Sequence, residues 1–227
     1  MSKGQDTKAI EDYFAREAER FDAIYEGANR SPVQAAVDSL FRTRMLNRRN
    51  AVIASLVDEG ASCFEIGCGS GRTAVAIAGA RSARVHGIDV AAPMIALADR
   101  HARDAGVADR CGFETADFDS FRPAERYDTF VAVGVLDYFA DPLPMLRRAA
   151  AEFVPGGTIV LSWAAKRMLL NPARRAWLAT KHVPVTFYDD REIARFADAV
   201  GGRVARSVKL GLAPLTVDGM ARIELSA

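Results

Sequence analysis

Residues 65 to 71, Glu-Ile-Gly-Cys-Gly-Ser-Gly, set an acid two places ahead of three alternating glycines, and Asp89 closes a second apolar run further along. Glycines at 67, 69 and 71 let backbone approach a bound molecule where side chains would clash. A carboxylate such as Asp89 accepts paired hydrogen bonds well, as from ribose hydroxyls. A glycine loop followed by such an acid implies a nucleotide-like ligand. Two details narrow it. Pyrophosphate loops carry a third glycine at the sixth position of G-x-G-x-x-G, whereas here that position is Arg72 and the third glycine comes one residue early. Glu65 falls at a buried strand end, where an acid needs a donor or a cation; within the protein, a salt bridge to Arg72 or a nearby backbone donor would serve.

Such a loop needs a strand before it and a helix after it, and the chain repeats that pattern. Apolar runs at 62–66, 84–89, 111–116, 129–134 and 158–163 read as strands, with helical segments at 72–80, 91–105 and 142–153 between most of them. Alternation of this kind predicts a parallel, doubly wound sheet. A helix over 189–200 then precedes two strand-like runs, 203–210 and 221–225, separated by Gly211, Pro214 and Asp218-Gly219, and that pair is expected to lie antiparallel. The fold class is thus α/β: a seven-stranded, mostly parallel sheet with an antiparallel C-terminal hairpin and added N-terminal helices. One or two short amphipathic helices fit 8–25, and Ser31-Pro32 opens a longer helix over 33–57 that Asp58-Glu59-Gly60 ends. The stretch 164–186 is poorly periodic and reads as an irregular insertion.

A chain of 227 residues suits a single domain, here with a helical cap at 1–57, a binding core at 58–163, a variable insertion at 164–188 and a closing helix and hairpin at 189–227. Half the residues are apolar and the net charge is +1, which gives no general attraction to nucleic acid. Three cysteines, Cys63, Cys68 and Cys111, are odd in number and lack framework spacing, so a reducing, cytoplasmic setting without disulfide or zinc is expected. Residues 1–11 are polar, unlike a signal peptide, and no apolar run is long enough for a membrane span.

Taken in order, Glu65-Ile-Gly67-Cys-Gly69-Ser-Gly71, Gly87-Ile-Asp89, Ala116-Asp117-Phe118 and Gly156-Gly157 before a strand resemble the motif series of class I S-adenosylmethionine-dependent methyltransferases of the small-molecule type. The resemblance covers 62–163. It implies S-adenosylmethionine as cofactor, S-adenosylhomocysteine as product, and an antiparallel final strand. It also implies roles for residues: Glu65 toward the methionyl amino group, Gly67, Gly69 and Gly71 along the methionine part, and Asp89 on the ribose. Val90 and Met94 would make apolar contact with the adenine, Asp117 would accept from its amino group, and Phe118 would lie beside the ring. Gly134 would bring its carbonyl near the methionyl group, with Val135 and Leu136 continuing the wall.

The sulfonium is already electrophilic, so aligning an acceptor and excluding water are the main tasks. A hydroxyl acceptor would need a base, and Asp137, Tyr138 and His182 are the candidates, with a helix cap as the ordinary alternative for Asp137. His86 and His101 read as structural or surface residues, and no metal site is suggested. Tyr13, Phe14, Phe21 and Tyr25 form a candidate lid in a segment similar to the start of magnesium-protoporphyrin and quinone-biosynthesis methyltransferases, or a helix packed on the sheet. Arg42, Arg44, Arg48 and Arg49 read as a solvated helix face. The insertion holds Lys166, Arg167, Arg174, Arg175 and Lys181 with no acid, interleaved with apolar residues in a pattern that fits a basic amphipathic helix binding an anionic acceptor, a lipid surface or RNA. The near-neutral overall charge and the lack of an RNA-binding module favour an anionic or lipid-like small acceptor over RNA. The expected activity is methyl transfer to a small-molecule hydroxyl. Alternatives are a cofactor-binding protein without turnover and, disfavoured by Arg72 and Glu65, an NAD-dependent oxidoreductase.

Overall fold

The computed structural model describes residues 44–139, 141–166, 171–180, 185–211 and 218–226. Tyr13, Phe14, Phe21, Tyr25 and His182 lie outside the described residues. The elements run α1 (Arg44–Ser55), β1 (Ser62–Ile66), α2 (Arg72–Arg81), β2 (Arg84–Asp89), α3 (Ala92–Asp104), β3 (Cys111–Thr115) and β4 (Thr129–Ala132). There follow α4 (Leu143–Arg148), β5 (Thr158–Ala164), α5 (Asn171–Ala179), α6 (Asp190–Ala199), β6 (Gly202–Leu210) and β7 (Asp218–Leu225).

Seven strands form one sheet in the order β3-β2-β1-β4-β5-β7-β6. β1 to β5 pair in parallel, and β7 inserts antiparallel between β5 and β6. That insertion requires a close approach: Gly219 pairs with Trp163, and a Cβ on it would meet the indole at 2.3 Å. The order reverses between β1 and β4, so a crevice opens at the carboxyl end of β1.

Alternate residues of the strands feed two cores. Phe64, Phe130, Ile159, Leu161 and Trp163 pack with Met145 and Leu146 of α4 and Ile193 of α6, while Cys63, Val85, Val131 and Val160 pack with Ile53 of α1 and Ile77 of α2. Both faces are covered, which is why every residue of β4 and β5 is buried. Phe64 and Phe153 are fully buried with ring centroids 4.6 Å apart, each burial contributing ~1.5–3 kcal/mol. Among the described residues no helix is long and apolar enough to cross a membrane.

Three expectations change. The helix expected over 142–153 is α4 followed by a π-helical turn, Ala149–Phe153. The fourth strand stops at Ala132, because Gly134 takes φ +70° and turns the chain. The insertion is not irregular throughout: it contains the helix α5, where the basic amphipathic pattern lies.

Candidate functional site

The glycine loop leaves β1 and enters α2. Cys68 donates its backbone N–H to the Ile88 carbonyl at 3.0 Å, and Gly71 donates to Cys68 at 3.0 Å. Gly67, Gly69 and Gly71 all take positive φ. They differ in what surrounds them. A Cβ at Gly67 would meet Val135 Cγ2 at 2.5 Å and one at Gly71 would meet the Ala98 Cβ at 2.7 Å, while no atom of the described residues lies within 4 Å of one at Gly69. The outer two glycines make room for protein, and the middle one faces open space.

Asp89, at the end of β2, holds this loop in place. One carboxylate oxygen accepts from Gly69 N at 2.9 Å and the other from Ala91 N at 2.9 Å. Burial raises its pKa, opposed by the bonds from Ala91, Gly69 and Val90. A carboxylate offers about four acceptor directions, so these three backbone donors do not exhaust it. Val90 is half-buried, and Met94 is buried in the first turns of α3.

Glu65 is 1% exposed, and its Oε2 has no hydrogen-bond partner among the described residues. Burial pushes its carboxyl up to about 8, opposed by the Arg49 guanidinium and the Ala74 backbone N–H and reinforced by Asp89. The cation that acts on Glu65 is therefore Arg49, not Arg72, which reaches His101 instead. Arg49 Nη1 lies 3.9 Å from where a Cβ on Gly134 would be. Placing Arg49 on a solvated face is corrected here, and its spacing held the signal. Arg49 stands four and seven residues ahead of the buried Ile53 and Leu56, on their stripe.

On the other side of the switch point, Ser162 Oγ, buried in β5, accepts from Gly134 N at 2.9 Å and fixes the turn after β4. Sequence reading missed Ser162, which looks like any polar residue within an apolar strand. Asp137 is 4% exposed and serves as a tie: its Oδ1 accepts from Ala164 N at 2.9 Å, and its main-chain carbonyl accepts from Thr186 N at 2.7 Å. The cap expected of it is supplied instead by Asp141, which accepts from Leu143 N at the start of α4. Tyr138 is half-buried in the 3-10 turn Leu136–Tyr138.

Asp117 is exposed, with Oδ1 accepting from Asp119 N at 3.1 Å in a local turn. Phe118 departs from expectation: its ring is buried against Phe130 and Phe153, under the Arg148 guanidinium at 4.7 Å, so it is a core side chain. His86 bridges Tyr127 Oη and Glu114 at 2.8 Å each, in keeping with a structural role.

Residues 64–159 match a family model described as a methyltransferase domain. A ubiquinone biosynthesis O-methyltransferase of Serratia proteamaculans (strain 568) is 28% identical over 146 residues, 61% of this chain and 58% of that enzyme's length. The chain thus spans under two thirds of that relative. Among solved structures, the magnesium protoporphyrin IX methyltransferase of Synechocystis PCC 6803 with bound S-adenosylhomocysteine aligns at TM-score 0.75 and 20% identity, covering 97% of this chain and 100% of that one. The [4+2]-cyclase SpnF aligns at TM-score 0.70 and 16% identity, covering 96% of each. At these identities the structures share the fold.

Proposed function

We propose that this chain, whose residues 64–159 form a methyltransferase domain of the class I, S-adenosylmethionine-dependent type, transfers a methyl group to a hydroxyl oxygen of a small-molecule acceptor in the cytoplasm. The observation that carries the cofactor assignment is the orphaned Oε2 of Glu65. A buried carboxylate oxygen without a donor is costly, and an ammonium group is the partner that satisfies both its charge and its lone pairs.

The residues present fit the cofactor. Glu65 would take the methionyl amino group and Arg49, beside it, the carboxylate. Gly67 and Gly69 would line the methionine part, with Gly71 holding the loop and Gly134 closing the far side. Asp89 would offer its remaining acceptor sites to the ribose, Val90 and Met94 the apolar contact to adenine, and Asp117 with the Phe118 backbone the adenine edge. Bound there, S-adenosylmethionine supplies an electrophilic methyl group. The chain's own task is alignment and exclusion of water, plus removal of the hydroxyl proton. Tyr138, His182 and Asp137, whose Oδ1 is engaged by Ala164 N, are the candidate proton acceptors.

An anionic or lipid-like acceptor suits the insertion, where Arg175 lies over the Phe187 ring at 5.3 Å. Because the same fold is found in a cyclase, fold alone does not decide turnover. Thermal shift with S-adenosylhomocysteine at ~100 times Kd should raise Tm by about 5–10 °C and NAD should leave it unchanged. Methyl transfer from labelled cofactor to a panel of hydroxylated acids and lipids then tests turnover. Stabilisation by NAD alone overturns the cofactor assignment, and cofactor binding without product across the panel favours a binding protein.

A further inference from the structure

The imidazole of His101, in the last turn of α3, reaches back to the glycine loop. Its Nδ1 lies 2.7 Å from the main-chain oxygen of Ser70, and its Nε2 lies 3.2 Å from Nη2 of Arg72. A carbonyl only accepts and a guanidinium only donates, so Nδ1 carries the hydrogen and Nε2 the lone pair. Both partners select the same neutral tautomer. Ser70 stands between Gly69 and Gly71, both at positive φ, in a segment with little side-chain restraint of its own. α3 meets the loop again at Gly71, where Ala98 occupies the space a Cβ would need. Asp89, just ahead of α3, holds Gly69 N. The loop is thus gripped at three consecutive residues, and His101 supplies the middle contact.

We propose that His101 is a positioning residue: by holding the Ser70 carbonyl it fixes the loop in the shape that receives the methionyl part of S-adenosylmethionine. This rests on the cofactor assignment above. The expectation that His101 is a structural or surface side chain is sharpened accordingly, since its contacts fall on the binding loop.

Three variants separate the contacts. In His101→Asn the carboxamide nitrogen sits near the Nδ1 position and can donate to Ser70, in His101→Gln it sits near Nε2, and His101→Ala loses both. In ligand-free protein, amide hydrogen exchange at residues 69–72 should quicken in the Ala and Gln variants and stay near wild type in the Asn variant. Calorimetric Kd for S-adenosylhomocysteine, and KM for S-adenosylmethionine, should rise roughly five- to tenfold in Ala and Gln, with kcat at saturating cofactor within about twofold. His101→Asn should restore both. Equal behaviour of Asn and Gln, or an Ala variant that binds and exchanges like wild type, overturns the role given to His101. Wild-type protein that binds no S-adenosylhomocysteine overturns the cofactor assignment instead, and the role with it.

Discussion

Glu65 and Asp137 are both buried carboxylates near the carboxyl edge of the sheet, one in the last residues of β1 and one beyond β4. Asp137 has a backbone N–H from Ala164 on its Oδ1, and its main chain ties to Thr186. Glu65 has the Ala74 N–H and the Arg49 charge, yet one oxygen has no donor among the described residues. Depth alone therefore does not mark a functional acid. The mark is hydrogen-bonding capacity that the fold leaves unused, because an acid serving stability tends to have its partners within the chain. The β4 side of the crevice is stitched together by Asp137 and Ser162, and on the β1 side Asp89 and α3 grip the loop from behind.

This contrast is sharpest among the glycines. Gly71→Ala would drive a Cβ to 2.7 Å from the Ala98 Cβ and 2.9 Å from its Cα at φ +72°, so α3 must shift. A loss of about 2–4 kcal/mol is expected in urea unfolding, and a loss below ~1 kcal/mol would show that α3 does not grip the loop. Asp137→Ala is next, with about 1–3 kcal/mol of stability lost and S-adenosylhomocysteine affinity by calorimetry held within about twofold. Collapse of affinity at unchanged stability would move Asp137 into the binding site. Gly69→Ala is the mildest for folding, about 1 kcal/mol from its φ of +52°, since no atom of the described residues lies in the way. Its S-adenosylhomocysteine Kd should nonetheless rise by about tenfold, a loss of ~1.4 kcal/mol, because the open space it fills is the space proposed for ligand.

Much of this was legible in the residues. Alternating apolar runs and helical periods gave the sheet and its antiparallel close, and the glycine spacing gave the loop, because those signals are local. What stayed hidden depends on partners distant in sequence. Arg49 reads as one arginine among four until α1 packs on α2, where Asn50 meets Thr73 at 3.3 Å. Phe118 follows Asp117 in a motif, and only the fold shows its ring turned into the Phe64 core. Asp137 looked like a cap because a turn acid before a helix often is one, and its true partner lies 27 residues away.

The most direct test concerns the unused oxygen. In the ligand-free protein Glu65 titrates at about 8, whereas an unfolded glutamate titrates near 4.5, so the folded state holds an extra proton between those values. Ligand-free stability should therefore fall as pH rises from 4.5 to 8, and Glu65→Gln should remove that slope. Pairing with an ammonium group requires the ionised carboxylate, so binding must expel the proton. Calorimetry of S-adenosylhomocysteine at pH 7, in buffers of different ionisation enthalpy, should show release of up to about one proton by wild type. Glu65→Gln should release none from this site and bind roughly 10- to 100-fold more weakly while remaining folded. A Glu65→Gln protein with wild-type affinity and wild-type proton release would contradict the assignment of Glu65 as the group that receives the cofactor's amino end.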